Sequence, residues 1–301
     1  MRVVLPFPAD RLSGVPDGFD IVLADATDNW PDEAWQGEFY VPSYQFSPRV
    51  VDVMADMPRL AVVQTLTAGV DHIQSAVPAG VTLCNATRVH HTATAELAVG
   101  LMISAQRRLP DLVRAQDEQI WDQDMSSSLA DKRVLVVGAG NIGRAIEERL
   151  AGFECETTLV GRTERPGVRA IGDLPRLLPS ADIVVLIVPL SEQTRGLVDA
   201  AFLASMPDGS LLVNVARGAV VVTDDLVAEL RSGRLRAALD VTDPEPPPPG
   251  HPLWTAPGLL LTPHVGGAVR GVRARSYAVA AAEIARYAGG ELPDNLVHGE
   301  Y

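Results

Sequence analysis

Short runs of β-branched and apolar residues recur along the first hundred positions, at Arg2–Leu5, Ile21–Ala24, Phe39–Val41, Ala61–Leu66 and Val81–Cys84. Polar, helical or turn-rich stretches separate them, an alternation that predicts a parallel sheet with helical crossovers. From Thr92 to about Arg108 the apolar positions keep a helical period, predicting a long connecting helix. A polar loop at Asp124–Ser128 precedes a second series of strands: Arg133–Val137, Glu156–Val160, Ile183–Ile187, Ser210–Asn214, Arg236–Asp240 and Leu259–Leu261. Six strands of this kind suit a doubly wound sheet. Pro244-Glu245-Pro246-Pro247-Pro248-Pro249-Gly250 excludes regular structure, because proline fixes φ and lacks a donor, so it reads as a stiff exposed loop. The stretch from Val269 to Tyr287 again has a helical pattern.

A chain of 301 residues suggests two domains of ordinary size. Its charged fraction of 21% beside 47% hydrophobic residues excludes disorder over most of the length. The net charge of −13, without a Lys/Arg block, argues against nucleic acid and means that an anionic substrate needs local positive charge. Cys84 and Cys155 lie far apart with no Cys/His cluster, which predicts neither a zinc site nor a disulfide framework and fits a cytoplasmic protein. Met1–Pro6 reads as a first strand rather than a signal peptide, and no apolar run reaches membrane-spanning length.

Gly138-Ala139-Gly140-Asn141-Ile142-Gly143 follows the strand Val134–Val137 and opens a helix carrying Ile146 and Leu150. In that context the glycines serve a tight turn, close approach to a pyrophosphate and helix–strand packing, while the helix amides face the phosphates. At the tip of the next strand, where NAD enzymes place a carboxylate for the ribose hydroxyls, stand Gly161, Arg162 and Thr163. A guanidinium and a hydroxyl there suit the 2′-phosphate of NADP, so NADP(H) is favoured over NAD(H). The alternative is a solvated loop arginine in an enzyme that uses NAD.

Three further segments follow predicted strands: Asn214-Val215-Ala216-Arg217-Gly218, Asp240-Val241-Thr242-Asp243-Pro244-Glu245, and Thr262-Pro263-His264-Val265-Gly266-Gly267. All lie at the edge where open α/β sheets bind ligands. With the glycine-rich turn, Thr67-Ala68-Gly69-Val70-Asp71, Ala95-Glu96 and Val188-Pro189 through Thr194, they make the chain resemble the D-isomer-specific 2-hydroxyacid dehydrogenases over nearly its whole length. That group includes the glyoxylate/hydroxypyruvate reductases.

The resemblance implies two Rossmann-like α/β domains with doubly wound parallel sheets. A flavodoxin-like substrate domain (residues 1–99 and 270–301) would receive an inserted dinucleotide-binding domain (residues 100–269). It implies NAD(P)H-dependent reduction of a small 2-keto acid to a D-2-hydroxy acid, in a homodimer paired through the cofactor domains. His264 would donate the proton, Glu245 would orient and charge it, and Arg217 would bind the substrate carboxylate and polarise the keto oxygen, roles their chemistry suits. The backbone at Ala68, Gly69 and Val70 would complete the carboxylate site, and Val188, Pro189, Thr194, Ala216, Asp240 and Gly266 would line the cofactor.

The chain departs from the family pattern at Val89 and His90, where a Gly and an Asn are usual. Arg88, His90 or His91 could meet a second anionic group on the substrate; the alternative is a solvated or capping cluster. Formate oxidation is disfavoured, since those relatives carry Gln where Glu245 stands. Phosphite oxidation on the same triad, and a dinucleotide-sensing corepressor, are the competing functional readings.

Overall fold

The structure is a computed structural model and describes residues 1–12, 18–26, 30–44 and 48–297. Its contacts divide the chain into two compact units, one of residues 1–90 with 270–301 and the other of residues 91–269.

In the first unit the strands are β1 (Arg2–Leu5), β2 (Asp20–Leu23), β3 (Phe39–Tyr40), β4 (Val62–Gln64) and β5 (Thr82–Cys84). They form an all-parallel sheet in the order β2-β1-β3-β4-β5, which is the flavodoxin-like arrangement. Two apolar clusters cover it: Val4, Tyr40, Met54, Val63 and Ile73 in one, and Val3, Leu5, Phe39, Val62 and Ile284 in the other. The C-terminal helix Val272–Ala288 supplies Ile284 and stacks Tyr277 on Phe7 with ring centroids 3.9 Å apart. After that helix the chain returns beside β5, where Val297 N–H donates to Leu83 O (2.9 Å) and Asn85 N–H to Asn295 O (3.0 Å). Buried Glu283 fastens this return, accepting from the Asp294 amide at 3.0 Å and the Asn295 side chain at 2.9 Å.

The second unit holds β6 (Arg133–Val137), β7 (Glu156–Gly161), β8 (Arg169–Ala170), β9 (Ile183–Leu186), β10 (Leu211–Asn214), β11 (Arg236–Leu239) and β12 (Leu259–Leu261). The parallel sheet runs β12-β11-β10-β9-β6-β7-β8, the doubly wound dinucleotide-binding order with one further strand. Isoleucine, valine and leucine fill β9, and β10 is Leu-Leu-Val before Asn214, every residue buried, as suits strands covered on both faces. The two-residue edge strand β8 was not among the expected strands, being too short to leave a period in the sequence.

The long helix runs His91–Gln106. The border between the units falls at its start rather than at residue 99, because Ala95, Ala98, Leu101 and Met102 pack with Val134, Ile146 and Val213 of the second unit. Among the described residues no helix is long and apolar enough to cross a membrane.

Candidate active site

The turn after β6 is built by exclusion of side chains. Gly138 has φ 126°, and a Cβ on it would overlap the Ile187 carbonyl; a Cβ on Gly143 would overlap the Gly138 carbonyl. Gly140 faces open space, with nothing within 4 Å of its hypothetical Cβ. Asn141, Ile142 and Gly143 form the first turn of the helix Asn141–Leu150, where N–H groups lack intrahelical acceptors. An open approach over Gly140 to a helix N-terminus fits a pyrophosphate.

Arg162 and Thr163 are exposed just past the tip of β7. Arg165, which was not singled out from the sequence, lies over the same turn: its Nη2 donates to Ala139 O at 3.0 Å. A Cβ on Gly161 would sit 3.1 Å from Arg165 Nη1, so the absence of a side chain at 161 makes room for the guanidinium. Basic groups thus flank the place where an adenine ribose would rest. Val188 and Pro189 follow β9, and the Thr194 hydroxyl is used within that loop, donating to Pro189 O (2.6 Å) and accepting from Ser191 N–H (2.8 Å).

The ends of β10, β11 and β12 bring the expected triad together. Asn214 closes β10; its carbonyl oxygen Oδ1 accepts from Ala216 N–H at 3.0 Å and its Nδ2 donates to Arg217 O at 2.9 Å, fixing the Arg217 turn. Arg217 Nη1 donates to Ala216 O at 2.8 Å. Gly218 lets this turn lie on the Thr242–Asp243 backbone, which a Cβ would overlap. Beyond β11, the Thr242 amide donates to Glu245 Oε2 at 3.2 Å. Glu245 Oε1 meets His264 Nδ1 at 2.6 Å, with the two side chains 39% and 40% exposed. Burial works against the Glu245 charge, but His264, the Thr242 amide and the Arg217 guanidinium outweigh it and hold the carboxyl below its ordinary range. An anion, an imidazole and a guanidinium therefore share one small region.

Asp240, expected along the cofactor, directs its carboxylate at the loop that carries His264, taking hydrogen bonds from Thr262, Val265 and Gly266. His264 itself has φ 52°, a left-handed backbone costing a non-glycine residue about 1–3 kcal/mol.

In the first unit, the Ala68-Gly69-Val70 loop is held by Asn85 Nδ2 donating to Ala68 O (3.0 Å) and Thr67 Oγ1 donating to Gly69 O (2.8 Å). Val70 is fully buried and Arg88 takes φ 68°. His90 is 8% exposed and hydrogen-bonds Tyr44 through Nε2. Burial, aided by Arg275, pushes its imidazole down to about 4. Desolvation thus disfavours the charged ring of His90 near neutral pH.

The sequence comparisons agree with this geometry. Residues 99–266 match the family model described as the D-isomer specific 2-hydroxyacid dehydrogenase NAD binding domain. The chain belongs to the D-isomer specific 2-hydroxyacid dehydrogenase family and is an oxidoreductase with a nicotinamide-dinucleotide-binding domain. It is 33% identical to a glyoxylate reductase of Thermofilum pendens, over 83% of this chain and 78% of that one. A D-isomer specific 2-hydroxyacid dehydrogenase from Xanthobacter autotrophicus, solved with NADPH and MES, superposes with a TM-score of 0.84 at 29% identity, covering 99% of this chain and 97% of that one. The NADPH-dependent glyoxylate/hydroxypyruvate reductase of Sinorhizobium meliloti, solved with NADP and malonate, gives a TM-score of 0.81 at 25% identity, covering 98% and 96%.

Proposed function

We propose that this enzyme reduces a small 2-keto acid, glyoxylate or hydroxypyruvate or a pyruvate bearing a second anionic group, to its D-2-hydroxy acid with NADPH preferred over NADH. The 2.6 Å contact between His264 and Glu245, on a carboxylate that also feels Arg217, carries the reading. A bound reduced nicotinamide supplies the hydride that reaches the carbonyl carbon. His264 delivers the proton to the carbonyl oxygen, Glu245 holds the imidazole through Nδ1 so that Nε2 faces the substrate, and Arg217 binds the substrate carboxylate and polarises the keto oxygen. In the first unit, the Ala68–Val70 backbone and Arg88 are the candidates for anion binding.

The cofactor is held by the amides of Asn141, Ile142 and Gly143 over Gly138 and Gly140, with Val188, Pro189, Ala216 and Gly266 lining it. Arg162, Thr163 and Arg165 support NADPH, since a guanidinium recognises a phosphate bidentately, and the neighbouring Glu164 carboxylate is paired with Arg169 at 3.8 Å.

A homodimer is supported by the segment from Leu109 to Met125 in the cofactor-binding unit. There Leu109, Val113, Ile120, Trp121 and Met125 are exposed, Trp121 to 87% and Met125 to 96%, a concentration of apolar surface suited to a second copy. Two free thiols, at Cys84 and Cys155, support a cytoplasmic setting.

The test is a spectrophotometric assay of glyoxylate, hydroxypyruvate, pyruvate, oxaloacetate and phosphonopyruvate with NADH and NADPH, on wild type and His264→Gln. Turnover of at least one keto acid that His264→Gln lowers by about 100-fold or more supports the reading. Oxidation of phosphite alone, or dinucleotide binding without turnover, rejects it.

A further inference from the structure

We infer that Asn85 and Thr67 are positioning residues for the Ala68–Val70 loop, each gripping one carbonyl so that the amide of the following residue is aimed at a substrate carboxylate. Three successive carbonyls there are taken by the fold itself. Thr67 O accepts the Ala86 amide at 2.8 Å and the Thr65 hydroxyl at 2.8 Å. Ala68 O accepts Asn85 Nδ2 at 3.0 Å, and Gly69 O accepts the Thr67 hydroxyl at 2.8 Å. A trans peptide is planar, with its carbonyl and the next N–H on opposite sides. Holding the oxygens of Thr67, Ala68 and Gly69 therefore fixes where the N–H groups of Ala68, Gly69 and Val70 point, each away from the group that holds its partner oxygen. Successive N–H groups presented by a turn make a seat for an anion.

Asn85 is itself held firmly enough to do this. It is only 3% exposed, its amide donates to Asn295 O of the C-terminal return at 3.0 Å, and its carbonyl accepts Gln64 Nε2 at 3.0 Å. Its Oδ1 accepts the Thr87 amide at 3.1 Å and the Thr87 hydroxyl at 2.6 Å. A backbone amide can only donate and a carbonyl can only accept, so the carboxamide between Thr87 N–H and Ala68 O has one usable orientation. The same side chain thus ties the loop to the turn that enters Arg88, the other candidate for an anion. Aspartate is no substitute. It keeps an acceptor for Thr87 but sets a second oxygen against Ala68 O and brings a negative charge to an anion site.

The inference rests on the reading that the Ala68–Val70 backbone receives the substrate carboxylate, and the experiment separates the two ideas. In the full-length protein with NADP bound, the Gly69 amide is followed by NMR with nitrogen-labelled glycine while oxalate is titrated in. NADPH affinity is measured by fluorescence, and kcat and KM with the keto acid turned over best. In wild type, oxalate is expected to shift the Gly69 signal. Asn85→Leu, which adds no charge and makes neither side-chain bond, is expected to weaken oxalate binding and raise KM about tenfold or more, with kcat within about threefold and NADPH affinity within about twofold. Thr67→Val removes the hydroxyl from Gly69 O and is expected to raise KM in the same sense, with Thr67→Ser restoring it; this pair decides the matter should Asn85→Leu not fold. Unchanged KM and oxalate affinity in the folded variants, whether or not their melting temperature falls, or a loss confined to kcat or NADPH binding, would overturn the positioning role. A wild-type Gly69 amide that does not respond to oxalate would instead overturn the anion-loop reading, and the inference with it.

Discussion

Arg217 and Glu245 owe their proximity to what surrounds them. The absence of a side chain at Gly218 lets the Arg217 turn rest on the Thr242–Asp243 backbone, and Asn214 ties that turn to the end of β10. Arg217→Lys keeps a charge but loses the planar fork, and a drop of about 10- to 100-fold in kcat/KM with a raised KM for the keto acid is expected in steady-state assays. The depressed Glu245 pKa has a sign that melts can read. A carboxyl whose folded pKa lies below its unfolded value stabilises the protein above the unfolded pKa, and that contribution disappears as pH falls through the folded pKa. Glu245→Gln should therefore flatten the loss of thermal stability on acidification, and a curve as steep as wild type would contradict the pairing. Arg165, anchored on Ala139 O, predicts a change confined to one cofactor: Arg165→Ala weakens NADPH binding about tenfold and leaves NADH binding unchanged in titrations.

Among the elements, the C-terminal return beside β5 depends on Glu283. Burial raises the pKa of this carboxyl, opposed by the Asp294 amide and other partners. The folded state then binds more protons than the unfolded one just above the ordinary glutamate range, so stability falls as pH rises through that window. Glu283→Gln keeps an acceptor and should remove that slope, whereas Glu283→Ala leaves the Asp294 amide unpaired and should cost about 1–3 kcal/mol in denaturant melts. The helix His91–Gln106 shows how an element chooses its unit: small residues such as Ala95 and Ala98 allow close packing on the second sheet from its first turn.

At the level of the whole molecule, the exposed apolar segment from Leu109 to Met125 carries the expectation of a dimer. Trp121→Glu should shift the protein toward monomer in analytical ultracentrifugation while leaving its circular dichroism unchanged, since the ring touches little of its own chain at 87% exposure. A dimer unaffected by that change would put the interface elsewhere.

Local chemistry is written in the chain itself. Strands buried on both faces must be continuous runs of valine and leucine, a phosphate turn must have glycines where a Cβ would collide, and prolines must break regular structure. For these reasons all eleven expected strands could be set within two residues, the largest difference being at Ala61–Leu66, where the strand runs Val62–Gln64. The order Gly138 to His264 along the chain likewise exposed the residues of the site. Partnership was decided only by tertiary structure, because hydrogen bonds between residues 22 to 26 positions apart leave no periodicity. That is why the hold of Asp240 on the His264 loop, the burial of His90 against Tyr44 and the reach of Arg165 across Ala139 emerged only with the folded chain.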